Sequence, residues 1–274
     1  LEIARREDLR ALPCITIDGA DAKDLDDAVS LVMLKGGNCL LGVHIADVSH
    51  YVTPQSPLDQ EAYKRGTSVY FPDRVLPMLP KEISNGVCSL NPNTEKLTLS
   101  CIMELDPAGK VVSHRLAETV IRTRYRMTYE DVNAMFDGDK ALLETYKDIW
   151  PMLSNMGALM EKLRNRRFKR GSMDFDLAEA KLILDKKGHT VDVKLYERGI
   201  SNQMIEEFML LANETVANHA RQMGIPFLYR VHETPDKEKL QQLNTFLHTL
   251  GYGIKSLNNL RPATLQKVLL ASKG

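Results

Sequence analysis

The sequence predicts an α+β fold in which a mixed, mostly antiparallel sheet is surrounded by helices. Two observations lead to this prediction. Short runs of β-branched and apolar residues, separated by turn residues, fill the first part of the chain. Long segments with helical spacing of apolar residues fill the second half. No internal repeat interrupts this order, so a repeat architecture is not expected.

The strands are predicted from apolar runs bounded by turns. The turn at residues 35–38 contains two glycines, which reach positive φ without steric cost, and residues 106–110 form a second turn by composition. The predicted strands cover residues 14–17, 28–34, 39–48, 97–105, 111–126 and 227–231, with a hairpin formed by 182–184 and 191–195. Residues 71–93 contain four prolines and are expected to form a long structured loop.

The helices are predicted from their start and stop signals. Thr128 precedes a helix as its N-cap, and the segment that reaches Met223 is followed by Gly224 and Pro226. The predicted helices cover residues 58–64, 140–168, 201–223, 235–250 and 262–271, and one more helix starts at residues 128–131.

Composition limits the class of protein. The chain of 274 residues has 36 basic and 36 acidic side chains, with 43% hydrophobic residues, so neither a disordered chain nor a binder that acts by bulk positive charge is expected. No apolar stretch approaches the roughly 18 residues that span a bilayer, and no membrane partner is predicted. The four cysteines form no C-x-x-C pair, which favours buried thiols in a reducing, cytoplasmic compartment.

The densest cluster of chemically active residues is an aspartate-rich segment between two predicted strands. Five carboxylates fall within ten residues, and only Lys23 offsets them: Asp18, Asp21, Asp24, Asp26 and Asp27. Like charges this close raise one another's pKa unless a cation lies among them, and hard oxygen ligands favour Mg²⁺, with Mn²⁺ as a substitute. Such a group could hold two ions roughly 4 Å apart for attack of water on a phosphodiester. The alternative is a solvated acidic turn; an EF-hand is disfavoured because its ligand spacing fails.

Residues 15–28 resemble the catalytic motif of the ribonuclease II/ribonuclease R family, whose catalytic unit is the RNB domain. The resemblance continues in order through the rest of the chain and is closer to the ribonuclease R branch. Its further blocks are residues 43–52, 65–72, 76–80, 83–90, 170–175 and 204–213.

The resemblance implies processive degradation of single-stranded RNA from its 3′ end, with release of nucleoside 5′-monophosphates. It makes Asp18, Asp24, Asp26 and Asp27 the catalytic and Mg²⁺-binding carboxylates. It implies that Tyr70 stacks near the 3′-terminal nucleotides, that Phe175 closes the other side of that stack, and that Glu206 lies near the ribose hydroxyls. The chain would then be one catalytic domain over residues 1–274, C-terminally incomplete and without the family's flanking cold-shock and S1 modules.

Basic tracts independently suggest single-stranded RNA as the partner. Six cations fall within residues 162–170, a tract that ends near Phe175, and Arg167 and Arg170 are its candidate RNA-binding residues. Arg122, Arg124 and Arg126 alternate, so one strand would present all three on the same face. Either tract could instead be a solvated face. No small-molecule cofactor is expected, and a monomer is favoured.

The histidines are interpreted as structural residues. His44, His50 and His232 lack the spacing of metal ligands, and His44 is expected in the core.

The alternative to the nuclease is a non-catalytic RNA-binding module or an inactive fragment. A metal-dependent phosphodiesterase for a small nucleotide is a third hypothesis, which the basic tract near Arg166 disfavours.

Overall fold

The computed structural model describes residues 2–173, 180–195, 198–254, 257 and 260–272. Its strands are β1 (Glu7–Asp8), β2 (Ile15–Asp18), β3 (Asp27–Met33), β4 (Cys39–Ala46), β5 (Val69–Tyr70), β6 (Val75–Leu76), β7 (Glu95–Leu105), β8 (Val111–Arg122), β9 (Tyr125–Thr128), β10 (Ala180–Leu184) and β11 (Thr190–Leu195). Its helices are α1 (Glu2–Arg5), α2 (Val48–Tyr51), α3 (Pro57–Arg65), α4 (Tyr129–Phe136), α5 (Lys140–Thr145), α6 (Trp150–Lys169), α7 (Ile200–Met223), α8 (Lys237–Thr249) and α9 (Pro262–Ser272), with a π-helix at Glu82–Val87.

Contacts divide the chain into two units. The first comprises Leu1–Met160 and Ala178–Asn218, and the second comprises Glu161–Leu177 and His219–Gly274. The single domain expected over residues 1–274 stays a prediction. No helix in the described ranges is both long and apolar enough to cross a membrane.

The first unit contains a seven-stranded sheet in the order β1-β8-β7-β4-β3-β2-β9. Its pairs are antiparallel except β1 with β8 and β2 with β9, so the predicted α+β class with a mostly antiparallel sheet is confirmed. Only two residues separate β8 from β9, although these strands lie near opposite edges of the sheet. Two residues reach roughly 10 Å at most between their flanking neighbours. The sheet must therefore curl until its edges approach each other.

The prediction of one continuous strand over residues 111–126 is wrong near its end, because the chain changes neighbours at residues 123–124. Up to Arg122 it pairs with β7, and from Tyr125 onward it pairs with β2. At the junction Thr123 donates its hydroxyl to the Leu90 carbonyl at 2.7 Å, and the amide of Arg124 donates to the Cys14 carbonyl at 2.8 Å. The three alternating arginines consequently do not share one strand face.

Two further expectations need correction. Residues 227–231 form no strand, because no strand of the described ranges pairs with them and an unpaired strand is not stable. The helix expected over residues 140–168 is two helices, since the chain leaves helical geometry after Thr145 and re-enters it at Trp150. The loop over residues 71–93 contains strand β6 and the π-helix.

The core is mainly apolar, and a chain of polar side chains crosses part of it. All four cysteines are buried, as expected for three of them from their apolar surroundings. His44 is fully buried and its ring nitrogens contact the hydroxyls of Ser30 at 3.0 Å and Ser100 at 2.7 Å. The prediction of a core histidine is therefore confirmed, and the hydrogen bonds cross three adjacent strands.

Candidate active site

The acidic loop, residues 18–27, connects two neighbouring strands of the sheet. Asp18 is the last residue of β2 and Asp27 is the first residue of β3. These strands pair antiparallel with Ile15 opposite Val29. Equal steps from that pair along both strands lead to Asp18 and residue 26, so the carboxylates at the two ends of the loop meet at one end of the sheet.

An apolar anchor fixes the second half of the acidic loop. Leu25 is 1% exposed and belongs to a core cluster with Cys14 and Ala28. Its amide donates to the Ser89 hydroxyl at 3.1 Å, and its carbonyl accepts from the Leu90 amide at 2.8 Å. Because Leu25 points inward, Asp24 and Asp26 on either side of it are left outside the core.

Ser89 holds this half of the loop from both sides. Its hydroxyl accepts from the Leu25 amide and donates to the Lys23 carbonyl at 2.9 Å. The residue is completely buried, and it follows the π-helix after a single intervening residue. A π-helix in this position agrees with the general finding that such segments occur at functional sites.

Asp18 has the most perturbed electrostatic environment of the loop. Burial, followed by the negative charges of Asp27, Asp26 and Asp24, raises its pKa to about 7 against the opposing effect of Arg126. Its Oδ2 is buried and finds no hydrogen-bond partner among the described residues. A buried carboxylate oxygen without a partner is costly, so this atom is suited to a cation or a proton.

Two other carboxyl groups of the acidic loop also have raised pKa values. Burial raises the pKa of Asp27. The pKa of Asp26 is raised by burial and then by the charges of Asp24 and Asp27, although Asp26 is among the more exposed residues of the loop. The structure therefore brings Asp18, Asp24, Asp26 and Asp27 into one electrostatically coupled group.

Tyr70 also reaches this group. It lies at the end of β5 in the small β5–β6 hairpin, and its side chain is 65% exposed. Its hydroxyl donates to Oδ2 of Asp24 at 2.9 Å. The ring thus stands beside the acidic loop with much of its surface open to solvent.

The donor set fits a hard divalent cation in type, and the partnerless oxygen of Asp18 is one atom that such an ion would satisfy. Within the described ranges, however, no three carboxylate, imidazole or thiolate groups converge as a ready site for one ion. One oxygen of Asp24 is occupied by the Tyr70 hydroxyl. Occupancy by Mg²⁺ accordingly stays a prediction.

The remaining predicted residues either have contacts of their own or lie outside the described ranges. Glu206 on α7 is half-buried and forms an ion pair with Arg198. Arg167 donates to the Ser172 hydroxyl at 2.6 Å within the second unit, to which Arg170 also belongs. Phe175 lies outside the described residues.

Sequence reasoning missed two residues that hold the loop and one buried acid. Ser89 and Arg126 both bond to the backbone of the acidic loop, a role that no short motif announces. Glu207 is 4% exposed and lies on the buried face of α7 with Met204 and Phe208. Helical spacing from those two apolar residues could have indicated its burial.

An α+β fold whose curled sheet has an acidic loop at one end is typical of a domain that binds a divalent cation. The family model described as "RNB domain" matches residues 6–274. The chain belongs to the RNB domain family. It is 52% identical over its whole length to Ribonuclease R 1 of Lactococcus lactis, of which it covers 34%, and 48% identical over 98% of its length to Ribonuclease R of Thermotoga maritima, of which it covers 38%. The chain thus spans about a third of the length of these curated relatives.

A solved structure gives the same result. The chain is similar to Mycoplasma genitalium RNase R in complex with ribose methylated single-stranded RNA, with a TM-score of 0.90 and 30% identity. The match covers 98% of this chain and 42% of that one. The family resemblance read from the motifs is confirmed.

Proposed function

We propose that this chain is the catalytic domain of a Mg²⁺-dependent exoribonuclease. It degrades single-stranded RNA processively from the 3′ end and releases nucleoside 5′-monophosphates. The relatives are named ribonuclease R, and the similar solved structure is a complex with single-stranded RNA. Both facts support an activity on RNA.

One observation carries the proposal. Four aspartates from a single connection form a coupled group at the end of two strands, and Asp18 keeps a buried oxygen that finds no partner among the described residues. A merely solvated turn would expose such oxygens to water. The raised pKa values of Asp18 and Asp26, to which neighbouring carboxylates contribute, indicate a site where negative charge is concentrated and remains to be neutralised.

Asp18, Asp24, Asp26 and Asp27 would hold Mg²⁺. When bound, the ion supplies Lewis-acid stabilisation of the phosphate charge and lowers the pKa of water. The protein groups have separate tasks. Asp18 and Asp27 are fixed by the ends of strands, whereas Asp24 and Asp26 are fixed through the buried Leu25 between them.

Tyr70 would orient the RNA end. Its ring is exposed enough to stack on a nucleotide base, and such stacking is worth about 1–3 kcal/mol per base. Its hydroxyl is tied to Asp24, so a base on this ring would lie beside the acidic loop. Arg167 and Arg170 would contact RNA phosphates, and Glu206 and Phe175 would contact the terminal nucleotides. The monomeric state and the cytoplasmic location stay predictions.

The activity is tested with the protein as its gene encodes it and RNA labelled at the 5′ end. We expect progressive shortening with Mg²⁺, its loss with EDTA, and nucleoside 5′-monophosphates as the main product. Binding without shortening would instead identify a non-catalytic RNA-binding module. Hydrolysis of a small cyclic or dinucleotide substrate, with RNA left intact, would identify the small-nucleotide phosphodiesterase.

A further inference from the structure

Arg126 gathers three backbone carbonyls of the acidic loop on one nitrogen. Its Nη2 donates to the carbonyls of Ala20 at 2.7 Å and Ala22 at 2.8 Å, with a weaker contact to Gly19 at 3.4 Å. Carbonyl oxygens that point toward one place repel one another unless a donor lies between them. The guanidinium therefore stabilises a loop shape that its own backbone would not favour.

The strand that carries Arg126 is tied to the strand that carries Asp18. β9 runs parallel to β2, with Arg126 paired to Thr16 and Thr128 paired to Asp18. The first half of the loop is also closed by the Ala22 amide, which donates to the Gly19 carbonyl at 3.0 Å. Arg126 thus connects a rigid part of the sheet with the half of the loop that Ser89 does not reach.

Arg124, two residues before Arg126, has different contacts. Arg124 forms an ion pair with Asp148 at 2.5 Å and its guanidinium lies 5.9 Å from the centre of the Tyr125 ring. Its described contacts do not include the acidic loop. The two arginines therefore have different roles. Arg124 contacts Asp148 and the Tyr125 ring, whereas Arg126 binds the backbone of the acidic loop.

We propose that Arg126 is a positioning residue that holds the acidic loop in the shape which presents its aspartates to a divalent cation. The inference rests on the proposed function and deepens it. Arg126 binds neither the ion nor RNA in this account; it acts through the backbone of residues 19–22. Groups that orient metal ligands in this indirect way typically contribute a factor of about 10–100 to metal affinity or activity.

The sign of the effect separates positioning from simple charge. Removing a cation beside a group of carboxylates should by itself strengthen binding of a second cation, because a repulsion is lost. Releasing the loop should weaken binding, because the ligands lose their arrangement. Arg126→Met therefore weakens binding of a divalent ion if Arg126 positions the loop, and strengthens it if only its charge matters.

The test measures Mn²⁺ binding by electron paramagnetic resonance without RNA. We expect Arg126→Met to raise the dissociation constant about tenfold or more, while Arg124→Met, the matched control, stays within about twofold of the wild type. Hydrogen exchange supplies a second readout. The Ala22 amide should exchange faster in Arg126→Met and at the wild-type rate in Arg124→Met.

Arg126→Lys keeps the experiment decisive if the methionine variant does not fold. The charge is retained, so a charge effect leaves the Mn²⁺ affinity unchanged. A compact ammonium on a shorter side chain does not span the three carbonyls, so positioning predicts weaker binding and faster exchange of the loop. Unchanged or tighter Mn²⁺ binding in both variants would overturn the inference.

Failure of the proposed function gives a different result. A wild-type protein without Mn²⁺ binding, or one whose binding is unaffected by Asp26→Asn, would refute the metal site itself and this inference with it. Normal wild-type binding that Asp26→Asn removes and Arg126→Met leaves intact would refute the role of Arg126 alone.

Discussion

The Tyr70 hydroxyl donates a hydrogen bond of 2.9 Å to Oδ2 of Asp24, which links the predicted base-stacking residue directly to a predicted catalytic carboxylate. The ring and the hydroxyl can be separated by mutation. Tyr70→Ala removes both, and we expect the length of the final oligonucleotide to change because a stacking surface is lost. Tyr70→Phe keeps the ring, so the final length should be that of the wild type.

The same pair predicts a change in metal requirement. Tyr70→Phe releases one Asp24 oxygen, and the Mg²⁺ concentration for half-maximal hydrolysis should fall by about twofold to fivefold, the effect of one charge-assisted hydrogen bond partly replaced by water. Tyr63, which is 89% exposed on α3, provides the control. A Tyr63→Ala variant with an altered Mg²⁺ requirement or an altered final product would show that these readouts are not specific to Tyr70.

Salt dependence tests the predicted phosphate contacts of Arg167 and Arg170. If about four phosphates are held, the logarithm of RNA affinity should fall with the logarithm of salt concentration at a slope of roughly −3. Replacing Arg170 by Gln should reduce the steepness by about 0.7 if that residue holds one phosphate. Titrations of single-stranded RNA at several salt concentrations give the slopes. A slope that Arg170→Gln leaves unchanged would remove this residue from the RNA site.

His44 predicts acid sensitivity of the fold. Full burial lowers its pKa to about 4, against an ordinary value of 6.5. The folded protein thus holds the ring neutral, and its contribution to stability is complete above pH 6.5 and is lost as the pH falls toward 4. The difference between the two pKa values corresponds to about 3 kcal/mol of unfolding free energy.

The raised pKa of Asp18 acts in the opposite direction, so the comparison must isolate the histidine. Urea unfolding of wild type and His44→Gln between about pH 7.5 and 4.5 cancels the carboxylate effects common to both proteins. We expect the difference in unfolding free energy to shrink as the pH falls. His189, which is 74% exposed, provides a control: a His189→Gln variant should parallel the wild type.

Gly42 is predicted to be required by the same buried histidine. A Cβ at this position would lie 2.5 Å from the Ser30 hydroxyl oxygen and 2.7 Å from Nε2 of His44. Gly42→Ala should therefore lower the unfolding free energy by about 1–3 kcal/mol. Gly86→Ala is the matched change without a clash, because the nearest atom to its Cβ is the Lys81 carbonyl oxygen at 3.8 Å, and it should cost much less. Equal losses in the two variants would contradict the packing argument.

The sequence allowed prediction of features that depend on neighbouring residues. Thr128 caps α4 by accepting from the Asp131 amide at 3.0 Å, as its position suggested, and the glycine pair of residues 36–37 adopts positive φ in the turn before β4. The placement of Asp18 and Asp27 at the ends of strands followed from the same local patterns.

Features that depend on distant partners could not be predicted in this way. The strand expected up to Arg126 is broken because residues 125–128 pair with β2, more than 100 positions earlier in the chain. The roles of Ser89 and Arg126 depend on where the curled sheet brings their side chains relative to the acidic loop. Local propensity contains no information on such long-range contacts.

The most direct test of the central claim compares two aspartates of the same loop. Asp26 belongs to the coupled group, whereas Asp21 is exposed and is assigned no part in the site. The measurement is single-turnover cleavage of 5′-labelled single-stranded RNA, with RNA affinity determined in parallel. The account predicts that Asp26→Asn lowers the cleavage rate at least about 100-fold while RNA affinity stays within about threefold of the wild type, and that Asp21→Asn cleaves normally. Cleavage by Asp26→Asn at the wild-type rate would contradict it.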